Sequence, residues 1–211
     1  MLENIEVLTH SSIRINKGKV IYFDPFDIEK NYNDADIIFI THSHYDHYSE
    51  KDIDRVKNEG TYFVAPKDVK MELLKKGINE EQIISVAPNQ TEEILGIKFE
   101  IVAAYNVNKK FHPKENNWVG YIIEIDGIRY YVAGDTDINE DNIKVQCDVA
   151  FVPIGGTYTM DYKEAAELVN RIKPKIAVPI HYGSIVGTEQ DAEKFLSLLE
   201  KNIEGKILMC W

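Results

Sequence analysis

Short runs of apolar residues broken by polar turns fill the first third of the chain. Segments 5–8, 12–15 and 19–23 predict strands, the last two joined in a hairpin across Asn16-Lys17-Gly18. Segment 35–40 is apolar at nearly every position and β-branched, the pattern of a strand buried on both faces, and it ends at His42. Ser49 opens a helix to about residue 59, with Ile53 and Val56 three apart. A strand over 61–65 then precedes a helix opened by Pro66 and closed by Gly77. Segments 83–86, 92–95 and 97–104 predict further strands.

Beyond a polar loop over 106–117 the pattern repeats. Segments 118–125 and 128–133 form a hairpin across Asp126-Gly127. Segment 148–153 is another buried strand. Asp161 and Glu164 make a capping box that opens a helix to about Ile172, stopped before Pro174. Segment 175–180 predicts a strand, 188 to about 201 a helix, and 206–209 a closing strand. This order predicts an α/β protein of two mixed sheets packed together with helices outside, a four-layer αββα sandwich. At 211 residues, a single domain (1–211) built from two similar halves is expected.

Composition narrows the function classes. With 44% hydrophobic residues the chain is globular. Its formal charge of −11 argues against a general affinity for nucleic acid, which is held chiefly by Lys and Arg. Two distant cysteines, Cys147 and Cys210, make no disulfide framework and suit a reducing, cytoplasmic setting. The start lacks a basic region followed by an apolar stretch, and no apolar run approaches the roughly 20 residues of a membrane span.

Chemistry gathers at the ends of three predicted strands. The first leads into His42-Ser43-His44-Tyr45-Asp46-His47, the second into Gly134-Asp135-Thr136-Asp137, the third into His181. Imidazole and carboxylate from separate segments are what borderline divalent metals require, and strand ends hold loop anchors rigidly. Three of the six histidines fall within the one hexapeptide, and the others are His10, His112 and His181.

The hexapeptide matches the His-x-His-x-Asp-His signature of the metallo-β-lactamase superfamily. Gly134-Asp135-Thr136 and Val178-Pro179-Ile180-His181-Tyr182-Gly183 resemble its downstream motifs in the same order. Thr9-His10-Ser11-Ser12 with Asp24-Pro25 resembles the opening of its small single-domain branch, which includes proteins similar to ascorbate-6-phosphate lactonase and N-acyl phosphatidylethanolamine phospholipase D. The resemblance implies the αββα sandwich and a binuclear metal centre. Asp46, His47 and His181 would hold one ion, His42 and His44 the other, and Asp135 would bridge them. The superfamily's further histidine is absent: the corresponding stretch reads Ala103-Ala104-Tyr105-Asn106-Val107. Three alternatives stay open, namely His112 as replacement ligand, Asn106 as a weak amide ligand, or an incomplete site.

The implied reaction is hydrolysis of a small ester, lactone, amide or phosphodiester by metal-activated hydroxide, with Asp135 positioning it and Asp46 an alternative proton acceptor. Zinc is the first expectation, one ion or two, with manganese or iron as substitutes. No G-x-S-x-G elbow or P-loop competes. Asp137 is a candidate orienter of a ligand histidine or an exposed loop residue, and Tyr158 and Tyr182 are candidate oxyanion donors or packing residues. His10 is a pocket residue or a structural one, and Gly155-Gly156-Thr157 a tight loop near the metals. A nuclease of the same superfamily is disfavoured by charge, and a di-iron redox protein by His44, where that branch carries Glu. A metal-binding or sensing protein without catalysis is the remaining alternative, and the oligomeric state, homo-oligomers included, stays open.

Overall fold

Three antiparallel strands open the chain in the computed structural model, which describes residues 1–209. These residues divide into two compact units, residues 2–87 with 209, and residue 1 with 88–208. In the first unit, β1 (Ile5–Thr9), β2 (Ser12–Lys17) and β3 (Lys19–Phe23) form the meander, and β4 (Ile37–Phe39), β5 (Tyr62–Pro66) and β6 (Ile83–Val86) add to it in parallel. The six strands lie in the order of the sequence. β4 is fully buried at every position, as its unbroken apolar run requires.

Helices α1 (Glu50–Val56) and α2 (Lys67–Lys75) follow β4 and β5. Ser49 stands at the N-cap of α1, but its hydroxyl donates to the Asp52 carboxylate at 2.6 Å instead of accepting from the backbone. That carboxylate in turn accepts from the amides of Asp27 and Ile28, tying the 27–28 turn to the helix. Ile38, Ile40, Ile53, Val56, Phe63, Val69 and Leu73 pack with Tyr22 into one buried cluster.

The second unit repeats the plan. β7 (Thr91–Ile94), β8 (Ile97–Ala103), β9 (Val119–Ile125) and β10 (Ile128–Val132) are antiparallel. β11 (Val149–Pro153), β12 (Ile176–Ile180) and β13 (Glu204–Gly205) continue the sheet in parallel, again in sequence order. The β9–β10 hairpin turns on Asp126 and Gly127, both at positive φ (53° and 71°), the conformation a two-residue type I′ turn needs. Asp161 and Glu164 form both bonds of the capping box of α3 (Tyr162–Ile172).

Three expected boundaries move, the first being α1, which ends at Val56 and not near residue 59. Helix α4 spans Glu189–Ser197 and stops short of residue 201, because the Asn170 amide from α3 captures the Leu198 carbonyl and the Glu200 amide, both at 2.9 Å. The closing strand is not 206–209 but Glu204–Gly205. After Lys206 donates to Ala177 the chain leaves β12, and Met209 instead makes an isolated parallel bridge to Val7. Cys210 lies outside the described residues, and Cys147 is half-buried, its thiol pushed up to about 12 chiefly by burial. No described helix is long and apolar enough to cross a membrane. Among the described residues, two mixed sheets and four α-helices give the α/β class expected.

Ile38, with no solvent exposure at the centre of the first unit's cluster, tests this packing. Ile38→Ala is expected to lower unfolding free energy by about 2–5 kcal/mol, read from denaturant titration, since the cavity it leaves cannot fully collapse.

Candidate metal centre

In the first unit the signature loop leaves β4 through Ile40 and Thr41, held in register by Ile40 donating to Val64. Asp24, at the exit of β3, is fully buried and organises the histidines of that loop. Its Oδ1 accepts from the Thr41 amide at 2.8 Å. Its Oδ2 accepts from the Thr41 hydroxyl at 2.7 Å and from His47 Nδ1 at 2.7 Å. Because the Thr41 hydroxyl spends its proton on Asp24, its contact with His42 Nδ1 at 3.0 Å makes His42 Nδ1 the donor. Both rings therefore carry hydrogen on Nδ1, which leaves the Nε2 lone pair as the atom that could bind a metal. This is the arrangement in which a carboxylate behind a histidine fixes its tautomer and raises its basicity.

The presented atoms lie at ligand spacing. Donors held 2.0–2.2 Å from one ion in tetrahedral or octahedral geometry stand roughly 2.8–3.6 Å apart. His42 Nε2 and His44 Nδ1 are separated by 3.1 Å, and His10 Nε2 and Asp46 Oδ2 by 3.2 Å, with His47 Nε2 a further 3.7 Å from Asp46 Oδ2. The ligand atoms of His10, Asp46 and His47 all lie within 4.8 Å of one another. His10 thus stands beside Asp46 rather than merely lining a pocket.

In the second unit Asp135 follows β10 and His181 follows β12. Asp135 Oδ2 faces His181 Nε2 at 3.1 Å and His112 Nε2 at 3.3 Å, and all three side chains are almost wholly buried. Close packing fixes this arrangement. A Cβ on Gly155 would fall 2.6 Å from the His181 carbonyl and 3.0 Å from its Nδ1, so only glycine lets the 155–157 loop lie against that histidine. His10 (φ 44°), Asp24 (φ 43°) and His181 (φ 58°) are held in the left-handed region, which only a few per cent of non-glycine residues adopt.

Several candidate roles change. Asn106 Oδ1 accepts from the His112 amide at 3.0 Å and from His112 Nδ1 at 3.1 Å, so the amide oxygen expected as a weak ligand is engaged with His112 itself. Asp137 does not orient a histidine. Its carboxylate accepts from the Val107 amide and from Lys109 Nζ, at 2.9 and 2.5 Å, and so anchors the start of the loop that carries His112. Tyr158 is half-buried, its ring edge-on to Phe111 at 4.7 Å, a packing role. The Tyr182 phenol is pushed up to about 12, chiefly by burial with Glu189 adding to it, and stays protonated as a donor at neutral pH. Sequence reasoning missed Thr41; its one signal was a hydroxyl placed between a buried strand and the first histidine of the motif.

Comparison with known proteins agrees with this chemistry. The family model described as a beta-lactamase superfamily domain matches residues 4–181. A UPF0173 metal-dependent hydrolase from Thermococcus onnurineus is 32% identical over 217 residues, covering 97% of this chain and 95% of that protein. Its counterpart from Thermococcus kodakarensis is 30% identical with the same coverage. Among solved structures, a protein of Parabacteroides distasonis, provisionally a metal-dependent hydrolase, has 30% identity and a TM-score of 0.84 over 97% of this chain and 91% of its own. Igni18, a metallo hydrolase from Ignicoccus hospitalis, shares the fold at a TM-score of 0.78 and 23% identity, over 97% of this chain and 94% of its own. The chain belongs to the beta-lactamase superfamily, within its UPF0173 metal-dependent hydrolases.

Asp24 gives a direct test of the orienting shell. Asn tolerates positive φ as Asp does, so Asp24→Asn spares the backbone while removing the charge that receives the His47 proton. Divalent-ion affinity, measured by competition with a chromogenic chelator, is expected to fall roughly 10–100-fold. An unchanged affinity would show that Asp24 does not tune the ligands.

Proposed function

We propose that the chain, as one metallo-hydrolase domain, is a binuclear metal-dependent hydrolase acting on a small ester, lactone, amide or phosphodiester. On the superfamily pattern, Asp46, His47 and His181 would hold one ion and His42, His44 and His112 the other, with Asp135 shared between them. The observation that carries this reading is the single buried oxygen of Asp135 facing two imidazole Nε2 atoms at 3.1 and 3.3 Å. Asn106 makes His112 Nδ1 a donor, so the neutral ring turns a lone pair toward the carboxylate. A cation between them removes the repulsion and the desolvation cost together. The donor set of imidazole and carboxylate suits zinc first, with manganese or iron as substitutes.

Divalent ions in such a site lower the pKa of water toward neutrality and polarise the scissile oxygen. The protein's own residues supply the rest. Asp135 and Asp46 place carboxylate oxygens where a water proton can be accepted, and Asp24 and Asn106 keep the imidazoles in the tautomer that binds. His112, buried at 1% exposure with its Nδ1 bonded, supports a complete ligand set and so favours catalysis over passive metal binding. The charge of −11 supports a small-molecule substrate over nucleic acid, and the sparse cysteines support a cytoplasmic location.

Elemental analysis of purified protein is expected to give two divalent ions per chain. Hydrolysis of at least one class in a screen of lactones, esters, amides and phosphodiesters should disappear with chelator and return with zinc. Asp135→Asn should lower turnover at least a hundredfold in the metal-supplemented protein. Turnover that survives both chelation and Asp135→Asn would overturn the reading.

A further inference from the structure

We infer that Asn106 is the positioning residue that completes this metal site, setting the tautomer of His112 and tying its loop to the one packed on His181. The inference rests on the ligand assignment above, with His112 standing in for the histidine missing from residues 103–107.

Asn106 follows β8, is 7% exposed, and uses its side chain in two directions. The amide oxygen is identified by its partner. It sits 3.0 Å from the His112 backbone N–H, which can only donate. The same oxygen lies 3.1 Å from His112 Nδ1, so that nitrogen holds the ring proton and Nε2 is left to bind metal. The Asn106 backbone amide donates to the His112 carbonyl at 2.7 Å, closing the six-residue excursion into a compact loop. In the other direction the amide nitrogen donates to the Tyr158 carbonyl at 2.9 Å. The loop of Tyr158 begins at Gly155, which has no room for a Cβ beside His181. One buried amide thereby ties the His112 loop to the loop packed against His181, and the Phe111–Tyr158 ring contact reinforces the link.

The base of this arrangement is built in as well. Thr136 Oγ1 accepts from the Tyr105 amide at 3.2 Å, and Asp137 takes Val107 and Lys109, so the residues on either side of Asn106 are fastened to the loop of Asp135. The acceptor sets the tautomer of His112, and the donor adds the tie to the Tyr158 loop. Alanine offers neither, and serine cannot span from His112 to Tyr158. Aspartate keeps the acceptor for His112 while losing the donor to Tyr158.

The test is metal binding itself. Zinc is titrated into metal-free protein against a chromogenic chelator, and the visible spectrum of the cobalt(II)-substituted protein is recorded in parallel. Asn106→Ala is expected to weaken the weaker of the two ions roughly 10–100-fold and to change the cobalt bands of that site, the size seen when a partner of a ligand histidine is removed. Asn106→Asp, which still accepts from His112 Nδ1, is expected to restore that affinity to within a few-fold. Should the alanine variant fail to fold, Asn106→Ser carries the same expectation. His112→Ala separates the two ideas. If it weakens the ion while Asn106→Ala and Asn106→Ser do not, the role of Asn106 is overturned and the ligand assignment stands. If His112→Ala changes neither affinity nor spectrum, both fall. An Asn106→Asp protein as weak as Asn106→Ala would likewise overturn the tautomer role.

Discussion

A carboxylate oxygen buried against two imidazole nitrogens is an expensive thing to build. Asp135, His112 and His181 are almost wholly removed from water, so each forfeits hydration that a charged or strongly polar group values at several kcal/mol. The chain adds to that cost with backbone it would not otherwise choose. His181 sits at positive φ, and Gly155 presses its bare Cα side against the ring. Buried Asn139 and Asn142 bond Thr136 and the Asp137 carbonyl to hold the loop behind Asp135. None of these features is a good local choice for stability alone, which is the pattern of a site whose geometry outranks its folding cost.

The same logic governs the first unit by a different route. There a single aspartate, Asp24, orients His47 directly and His42 through the Thr41 hydroxyl. In the second unit a neutral amide does the equivalent work for His112. The difference has a chemical meaning. A carboxylate behind the ring increases the electron density that imidazole gives to a metal more than an amide oxygen does. On the ligand assignment proposed above, His112 would be the weaker of the two kinds of donor.

Much of this was legible in the order of residues. The buried strand ending at His42, the two hairpins and the Asp161 capping box come from local pattern, since each needs only neighbours a few positions away. The signature hexapeptide was legible for the same reason. The role of Asn106 was not. Its partner lies six residues along a polar loop whose course no periodicity dictates, and an asparagine at a strand exit more often begins a turn. Neither role open to Asp137 was met, because it is buried and its carboxylate serves the loop at Val107 and Lys109, a choice set by tertiary geometry. The closing strand was misread because residues 206–209 have strand-like character, while the pairing that decides the matter is already spent at Glu204–Gly205.

The sequential order of strands carries a consequence for how the protein is made. In each sheet every strand lies beside the one synthesised just before it, so a growing chain can add strands one at a time with little loop entropy to overcome. The outer margin of β1 is the exception. Its bridge at Val7 is to Met209, a residue the ribosome delivers long after β1 has formed. Throughout translation that margin stands open to other nascent chains, and aggregation during biosynthesis would be expected to begin there.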